Sequence, residues 1–213
     1  MNLGILIILI TTLGYFSNWL NWRYLNYPIV RFLYYFGAAI HELSHAIFCM
    51  IAGARITEFS IFSKQPHVTS LKPKLPIVGQ FLISLAPIVG GLAFLFLLNK
   101  YFLEGYFVMP QILSPADLLL APLDLLSQIN LLSWQSWLMI FLFLNTGAMI
   151  GPSFSDLKNI WPLIVASFFV KWPLLFGLGL LVAALILTNI LLQIIFLLAI
   201  LVAKKKPILA AFF

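Results

Sequence analysis

The feature that most constrains this chain is a series of long apolar runs. The longest covers residues 172–203 and contains no charged side chain. A helix of about 20 apolar residues spans the hydrocarbon core of a bilayer, so this run predicts either one long tilted helix or a bent pair. Further apolar runs occupy residues 2–20, 28–52, 75–98 and 134–150, and a shorter one occupies residues 160–171. Residues 99–133 contain three prolines and three acidic residues and are predicted to form a polar-to-mixed connection. The sequence therefore predicts an all-α polytopic integral membrane protein with about five to six membrane segments.

The composition agrees with this class of protein. Of the 213 residues, 63% are hydrophobic and only 8% are charged, whereas roughly a quarter of a soluble domain is charged. No hydrophilic stretch is long enough for a separate soluble domain, so residues 1–213 are interpreted as one membrane-embedded domain. The net charge of +6 is spread over loops and a terminal lysine cluster. Such residues contact anionic headgroups, and we expect no nucleic-acid partner.

Residues 54–75 differ from the apolar runs. The stretch ARITEFSIF alternates loosely between apolar and polar side chains before Ser-Lys-Gln-Pro interrupts it, which predicts a short β-strand or hairpin at the membrane surface. If residues 54–75 and 153–171 face the cytoplasm, six Lys and Arg side chains lie inside and three lie outside. The positive-inside rule favours that orientation.

Two histidines and a glutamate lie in the middle of the apolar run at residues 28–52. His41, Glu42 and His45 form the pattern H-E-x-x-H. On a helix, positions i and i+4 share one face, so both imidazoles can bind one zinc ion, with the glutamate placed to take a proton from a water molecule there. Ionisable groups within membrane segments are costly and usually functional. The pattern favours a zinc site with Glu42 as general base over a buried cluster that only hydrogen-bonds neighbouring helices.

A catalytic zinc ion needs a third protein ligand. Asp156 follows an apolar segment in the stretch GPSFSD, where a broken helix at membrane depth must be buried or line a cavity. It is the favoured ligand; the alternative is an N-cap aspartate, and the two roles are compatible. The other candidate side chains are expected at the surface or on the opposite side of the membrane: Glu58, His67, Glu104, Asp117 and Asp124.

The stretches HELSHAIFCMIAGARITEFSIF and NTGAMIGPSFSDLKN resemble the site-2-type intramembrane metalloproteases, the M50 peptidase class. In that family a glycine and a strand follow the H-E-x-x-H helix, as Gly53 and ARITEFSIF do here. The family's third zinc ligand is an aspartate on a later span, which matches Asp156. Asn145 and Pro152 match further positions of that pattern, and the match implies a substrate-orienting role for Asn145. Leu157 stands where the family has glycine.

The resemblance implies a zinc-dependent endopeptidase that hydrolyses peptide bonds in or near the transmembrane segments of a membrane protein or peptide substrate. His41, His45 and Asp156 would hold Zn²⁺, and Glu42 would act as general base. The expected location is the cell membrane, with the active site open toward the cytoplasm. A catalytically inactive membrane scaffold or binding protein is the alternative. A small transporter is less favoured because only one broken helix is evident. Substrate identity and oligomeric state do not follow from the sequence.

Overall fold

The computed structural model describes residues 2–24, 26–61, 63, 66–74, 76–112, 114–169 and 173–209. The described residues are mostly helical and form a single two-stranded sheet. In chain order the elements are α1 (Leu3–Tyr24), α2 (Pro28–Ile51), β1 (Ile56–Ser60), β2 (His67–Ser70), α3 (Pro76–Tyr101), α4 (Asp117–Ser127), α5 (Trp134–Ile150), α6 (Phe154–Ser167) and α7 (Pro173–Leu209). The strands are antiparallel, which confirms the hairpin predicted after the H-E-x-x-H helix.

Three of the described helices are long and apolar enough to cross a bilayer, which indicates a membrane protein. They are α1, the part of α3 from Val78 to Tyr101, and the part of α7 from Pro173 to Ala203. Helix α5 is apolar but has only 17 residues, and α2 contains the polar motif. The predicted number of five to six membrane segments is therefore not confirmed. Helix α7 is continuous through the last apolar run, which selects the single-helix alternative.

Helix α5 lies at the centre of the helical assembly and packs against α1, α2, α3 and α7. Its second half is buried on every face, with all residues from Leu142 to Ile150 buried, as expected for a helix surrounded by others. The Ser133 side chain caps its first turn by accepting a hydrogen bond from the Ser136 backbone. The helix ends before Gly151 and Pro152, and both of these residues are buried, so the GPS break lies largely inside the protein.

Helix α2 lies directly against α5 one turn before the H-E-x-x-H motif. A Cβ atom on Gly37 would be 2.7 Å from the Asn145 carbonyl oxygen and 2.9 Å from Ala148 Cβ, so only glycine permits this approach. The Gly37 backbone N–H donates a hydrogen bond of 3.1 Å to Asn145 Oδ1. These two residues therefore fix where the motif lies along α5.

Helices α1 and α7 are joined by buried polar side chains. Ser17 Oγ lies 2.5 Å from Asn189 Oδ1 and 3.2 Å from Gln193 Oε1. Gln193 Nε2 donates to Asn21 Oδ1 at 2.9 Å, and Asn189 Nδ2 donates to the Phe143 carbonyl of α5 at 2.7 Å. Within an apolar assembly such bonds fix the register of one helix against another. We call this set of four side chains the α1–α7 ladder.

Two connections differ from the prediction. Residues 99–133 were expected to form a mixed loop but contain α4, whose residues Leu118, Ala121 and Leu125 are buried and which packs against α7. Residues 160–167 of the apolar segment expected at 160–171 belong to α6, which begins earlier, at Phe154. Of the positions used above, Lys64, Leu75, Lys171 and Trp172 lie outside the described residues, and the orientation in the membrane stays a prediction.

Candidate metal site

Helix α2 presents both histidines of the motif to one point. Pro28 occupies the first turn, where its fixed φ suits a helix start, and the helix continues unbroken through the motif. His41 Nε2 and His45 Nε2 are 3.2 Å apart. Two ligand atoms on a tetrahedral zinc ion are separated by about 3.3 Å, given bonds of 2.0–2.2 Å. The i and i+4 spacing therefore produces the expected ligand separation.

A proline in α3 sets the orientation of His45. His45 Nδ1 lies 2.8 Å from the Ile83 carbonyl oxygen. In a regular helix that carbonyl would accept from the N–H four residues later, but residue 87 is Pro87, which lies inside the helix and has no N–H. The freed carbonyl accepts from His45 Nδ1–H, so in the neutral ring Nε2 has an available lone pair.

Asp156 of α6 completes the group. Its Oδ1 is 3.4 Å from His45 Nε2, and its Oδ2 is 3.8 Å from His41 Nε2. His41 is 7% exposed and Asp156 is 4% exposed. Within the described residues this is the one group of three or more histidine, cysteine or acidic side chains whose ligand atoms, all within 4.8 Å of one another, could hold a metal ion.

Asp156 is held in place by the residue that caps its helix. Ser153 precedes α6, and Asp156 Oδ2 accepts hydrogen bonds from Ser153 N at 2.8 Å and Ser153 Oγ at 2.6 Å. The Asp156 backbone N–H lies 3.2 Å from Ser153 Oγ. This is a capping box with the aspartate at its third helical position. The N-cap is thus Ser153 and not Asp156, and the carboxylate both supports the cap and faces the histidines.

The donor set fits a divalent metal ion. Because His45 Nδ1 donates to a carbonyl, a neutral His45 ring turns a lone pair toward His41 Nε2 and toward the Asp156 carboxylate. Buried acceptor atoms that face one another repel unless a cation or a shared proton lies between them. Two imidazole nitrogens and one carboxylate oxygen also match the ligand types that divalent metals use in catalytic sites.

Glu42 lies beside this group and borders a cavity. The cavity has a volume of about 190 Å³ and is lined by His41 and Glu42 together with residues of α1, α5, the hairpin and the GPS break. That volume accommodates several water molecules. The backbone of Val68 in β2 donates a hydrogen bond to the Glu42 carboxylate, so the hairpin directly contacts the predicted general base.

The remaining sequence candidates lie elsewhere. His67 Nε2 is 3.1 Å from Glu58 Oε1, and both side chains are exposed on the hairpin. Asp117 Oδ2 accepts from the Ser114 backbone at the start of α4. Asn145 is fully buried; besides accepting from Gly37, it donates to the Phe141 carbonyl at 2.6 Å. Its amide therefore joins α2 to α5, and the residues that line the cavity do not include it.

Three contributors to the site were not predicted from the sequence. Ser153 supports the ligand carboxylate, Pro87 frees the carbonyl that orients His45, and Asn18 of α1 borders the cavity. The effect of Pro87 could have been recognised from the sequence, because a proline within an apolar helix leaves the carbonyl four residues earlier without its helical donor. No sequence pattern indicates the position of Asn18 beside the cavity, since its distance from the motif depends on how α1 packs.

Comparisons with known proteins identified no similar protein. No protein-family model matches the chain, and no curated protein or solved structure matches it either. The resemblance to the M50 class therefore depends on the residues of the two sequence motifs alone.

Proposed function

We propose that this protein is an intramembrane zinc endopeptidase of the site-2 type. The observation that carries the proposal is the convergence of His41, His45 and Asp156 in a buried group beside a cavity that Glu42 borders. A buried metal site with a neighbouring carboxylate and room for water supplies the elements needed to hydrolyse an amide. Long apolar helices around it favour a substrate that is itself in the membrane.

Each residue of the site has a separate role in the proposed reaction. His41, His45 and Asp156 would hold the zinc ion, and a zinc ion in that position supplies a Lewis acid that acidifies water and polarises a carbonyl. Glu42 accepts a proton from the attacking water and returns it to the amine nitrogen that leaves as the peptide bond breaks. The carbonyl of Ile83 keeps the His45 ring in the orientation that metal binding requires.

The substrate must be locally unwound, because a helix engages its own carbonyls and amides. The hairpin lies next to Glu42, and in the described part of the chain its sheet has two strands, so a strand edge remains with which an extended peptide can pair. We therefore propose that a transmembrane protein or peptide is cleaved where its helix ends or breaks. A multi-pass protein of the cell membrane with its site open to the cytoplasm remains the proposed setting.

The proposal is tested on purified protein in lipid–detergent micelles. Zinc content is measured by mass spectrometry, and cleavage is measured with a quenched fluorescent transmembrane peptide. The unmodified protein is expected to contain about one zinc per chain and to cleave the peptide, whereas Glu42→Gln is expected to retain zinc and lose cleavage. Equal cleavage by Glu42→Gln would remove Glu42 from the mechanism. A chain without stoichiometric zinc and without cleavage would favour the membrane scaffold instead.

A further inference from the structure

Helix α1 contributes one polar side chain to the cavity beside the site. Asn18 borders the same cavity as His41 and Glu42. Its Oδ1 atom is buried and has no hydrogen-bond partner among the described residues. A buried amide oxygen without a donor is unfavourable by about 1–3 kcal/mol, and such groups in native proteins usually have a specific explanation.

Among the described residues, Asn21 Nδ2 on the same helix is also buried without a hydrogen-bond partner, but it belongs to a side chain of the α1–α7 ladder. Ser17 Oγ and Asn21 Oδ1, on the residue before and three residues after Asn18, both take part in the α1–α7 ladder. Asn18 is turned away from the ladder toward the GPS break, where its Nδ2 atom would lie 3.4 Å from a Cβ placed on Gly151. The side chain therefore borders the space in which a ligand of the site would lie.

An extended peptide has the chemistry that this amide lacks. An unwound segment in an apolar setting presents backbone N–H and C=O groups that need partners. A primary amide offers one strong acceptor and a donor pair, and it cannot take part in proton transfer near neutral pH. Asn18 is therefore suited to bind a peptide backbone, whereas Glu42, which borders the same cavity, transfers the proton.

We propose that Asn18 is a substrate-binding residue, whose Oδ1 atom accepts a hydrogen bond from a backbone N–H of the unwound substrate next to the cleaved bond. This inference rests on the proposed endopeptidase function and names a contact that selects an extended peptide. A substrate that remains helical has no free N–H at that position, so the contact favours segments that unwind readily.

The experiment measures binding of a fluorescent transmembrane peptide to Glu42→Gln protein, in which the peptide stays intact. Adding Asn18→Ala is expected to weaken binding about tenfold, as for one buried hydrogen bond, with zinc content unchanged. The control is Thr12→Val, which removes a hydroxyl on the exposed side of the same helix that bonds only to the Ile8 carbonyl. That control is expected to bind the peptide as the Glu42→Gln parent does.

A series of peptides with single backbone esters identifies the donor. An ester replaces one N–H by oxygen, so at one position next to the cleaved bond it should weaken binding to the Glu42→Gln parent about tenfold and leave binding to the Asn18→Ala variant unchanged. The ester series decides the question alone if Asn18→Ala loses zinc or misfolds. Equal binding of all esters and an unaffected Asn18→Ala variant would overturn this inference while leaving cleavage by the unmodified protein in place. If the unmodified protein neither binds nor cleaves the peptide, both this inference and the proposed endopeptidase function are wrong.

Discussion

Two regions of this molecule bury polar side chains among apolar helices, and they do so in different ways. In the α1–α7 ladder, amide and hydroxyl donors meet oxygen acceptors, and the contacts join α1 and α7 to each other and to α5. In the candidate metal site, two ring nitrogens and a carboxylate face one another at 3.2–3.8 Å. The ladder satisfies most of its own hydrogen bonds, whereas the site requires a cation or a proton from outside. This difference separates buried polar groups that stabilise a fold from those that bind a ligand.

The largest expected effect comes from removing a ligand of the site. His45→Ala deletes one of the three converging atoms, so zinc affinity should fall by more than about 100-fold, beyond what changes around a metal's outer contacts produce. Cleavage should be lost with it. Competition with a chromophoric chelator measures the affinity. The matched control is His67→Ala on the hairpin, which should keep full zinc content; zinc loss there would mean that His67 contributes to zinc binding and that the proposed ligand set is wrong.

A substitution in the α1–α7 ladder should have the opposite pattern of effects, with stability decreased and zinc binding kept. Asn189→Ala removes the group that accepts from Ser17 and donates to the Phe143 carbonyl, so the free energy of unfolding should decrease by about 2 kcal/mol while zinc stoichiometry is kept. Thermal unfolding in detergent measures the decrease. Thr188→Val is the control, because the Thr188 hydroxyl bonds only within its own helix, to Ala184. If Asn189→Ala releases zinc without loss of stability, the distinction between the two regions is wrong.

Pro87→Ala tests whether the helix break orients the metal ligand. The new backbone N–H can donate to the Ile83 carbonyl and compete with His45 Nδ1, so zinc affinity should fall about tenfold, even though replacing an internal proline favours the helix itself. The same chelator competition measures this fall. Pro122→Ala in α4 also removes a proline within a helix, and it should leave zinc affinity unchanged. An equal change in both variants would point to a general effect on folding.

Whether a structural feature could be predicted from the sequence depends on how far apart along the chain its contributing residues lie. The histidine pair follows from i and i+4 spacing, and the ends of α5 follow from a serine cap and a Gly-Pro break, because both are local. The placement of Asp156 beside the histidines depends on Gly37 and Asn145, which set how α2 lies on α5, and no local pattern encodes that packing. Helix α4 was missed because Pro122 interrupts its pattern, although its buried side chains match those of an amphipathic helix.

The smallest expected effect compares two serine–aspartate pairs with the same reciprocal hydrogen bonds, one at the start of α6 and one just before α4. Ser153→Ala removes the hydroxyl that donates to Asp156 Oδ2, which should decrease the free energy of unfolding by about 1 kcal/mol and weaken zinc binding several-fold, because the carboxylate loses a positioning contact. Ser114→Ala removes the matching hydroxyl at the start of α4, which lies 3.3 Å from the Asp117 backbone N–H. It should decrease stability by a similar amount and leave zinc binding unchanged. Chelator competition and thermal unfolding on both variants separate the two quantities. Equal zinc affinity in both would show that the Ser153 cap stabilises α6 alone, and that the histidines suffice to hold Asp156 in position.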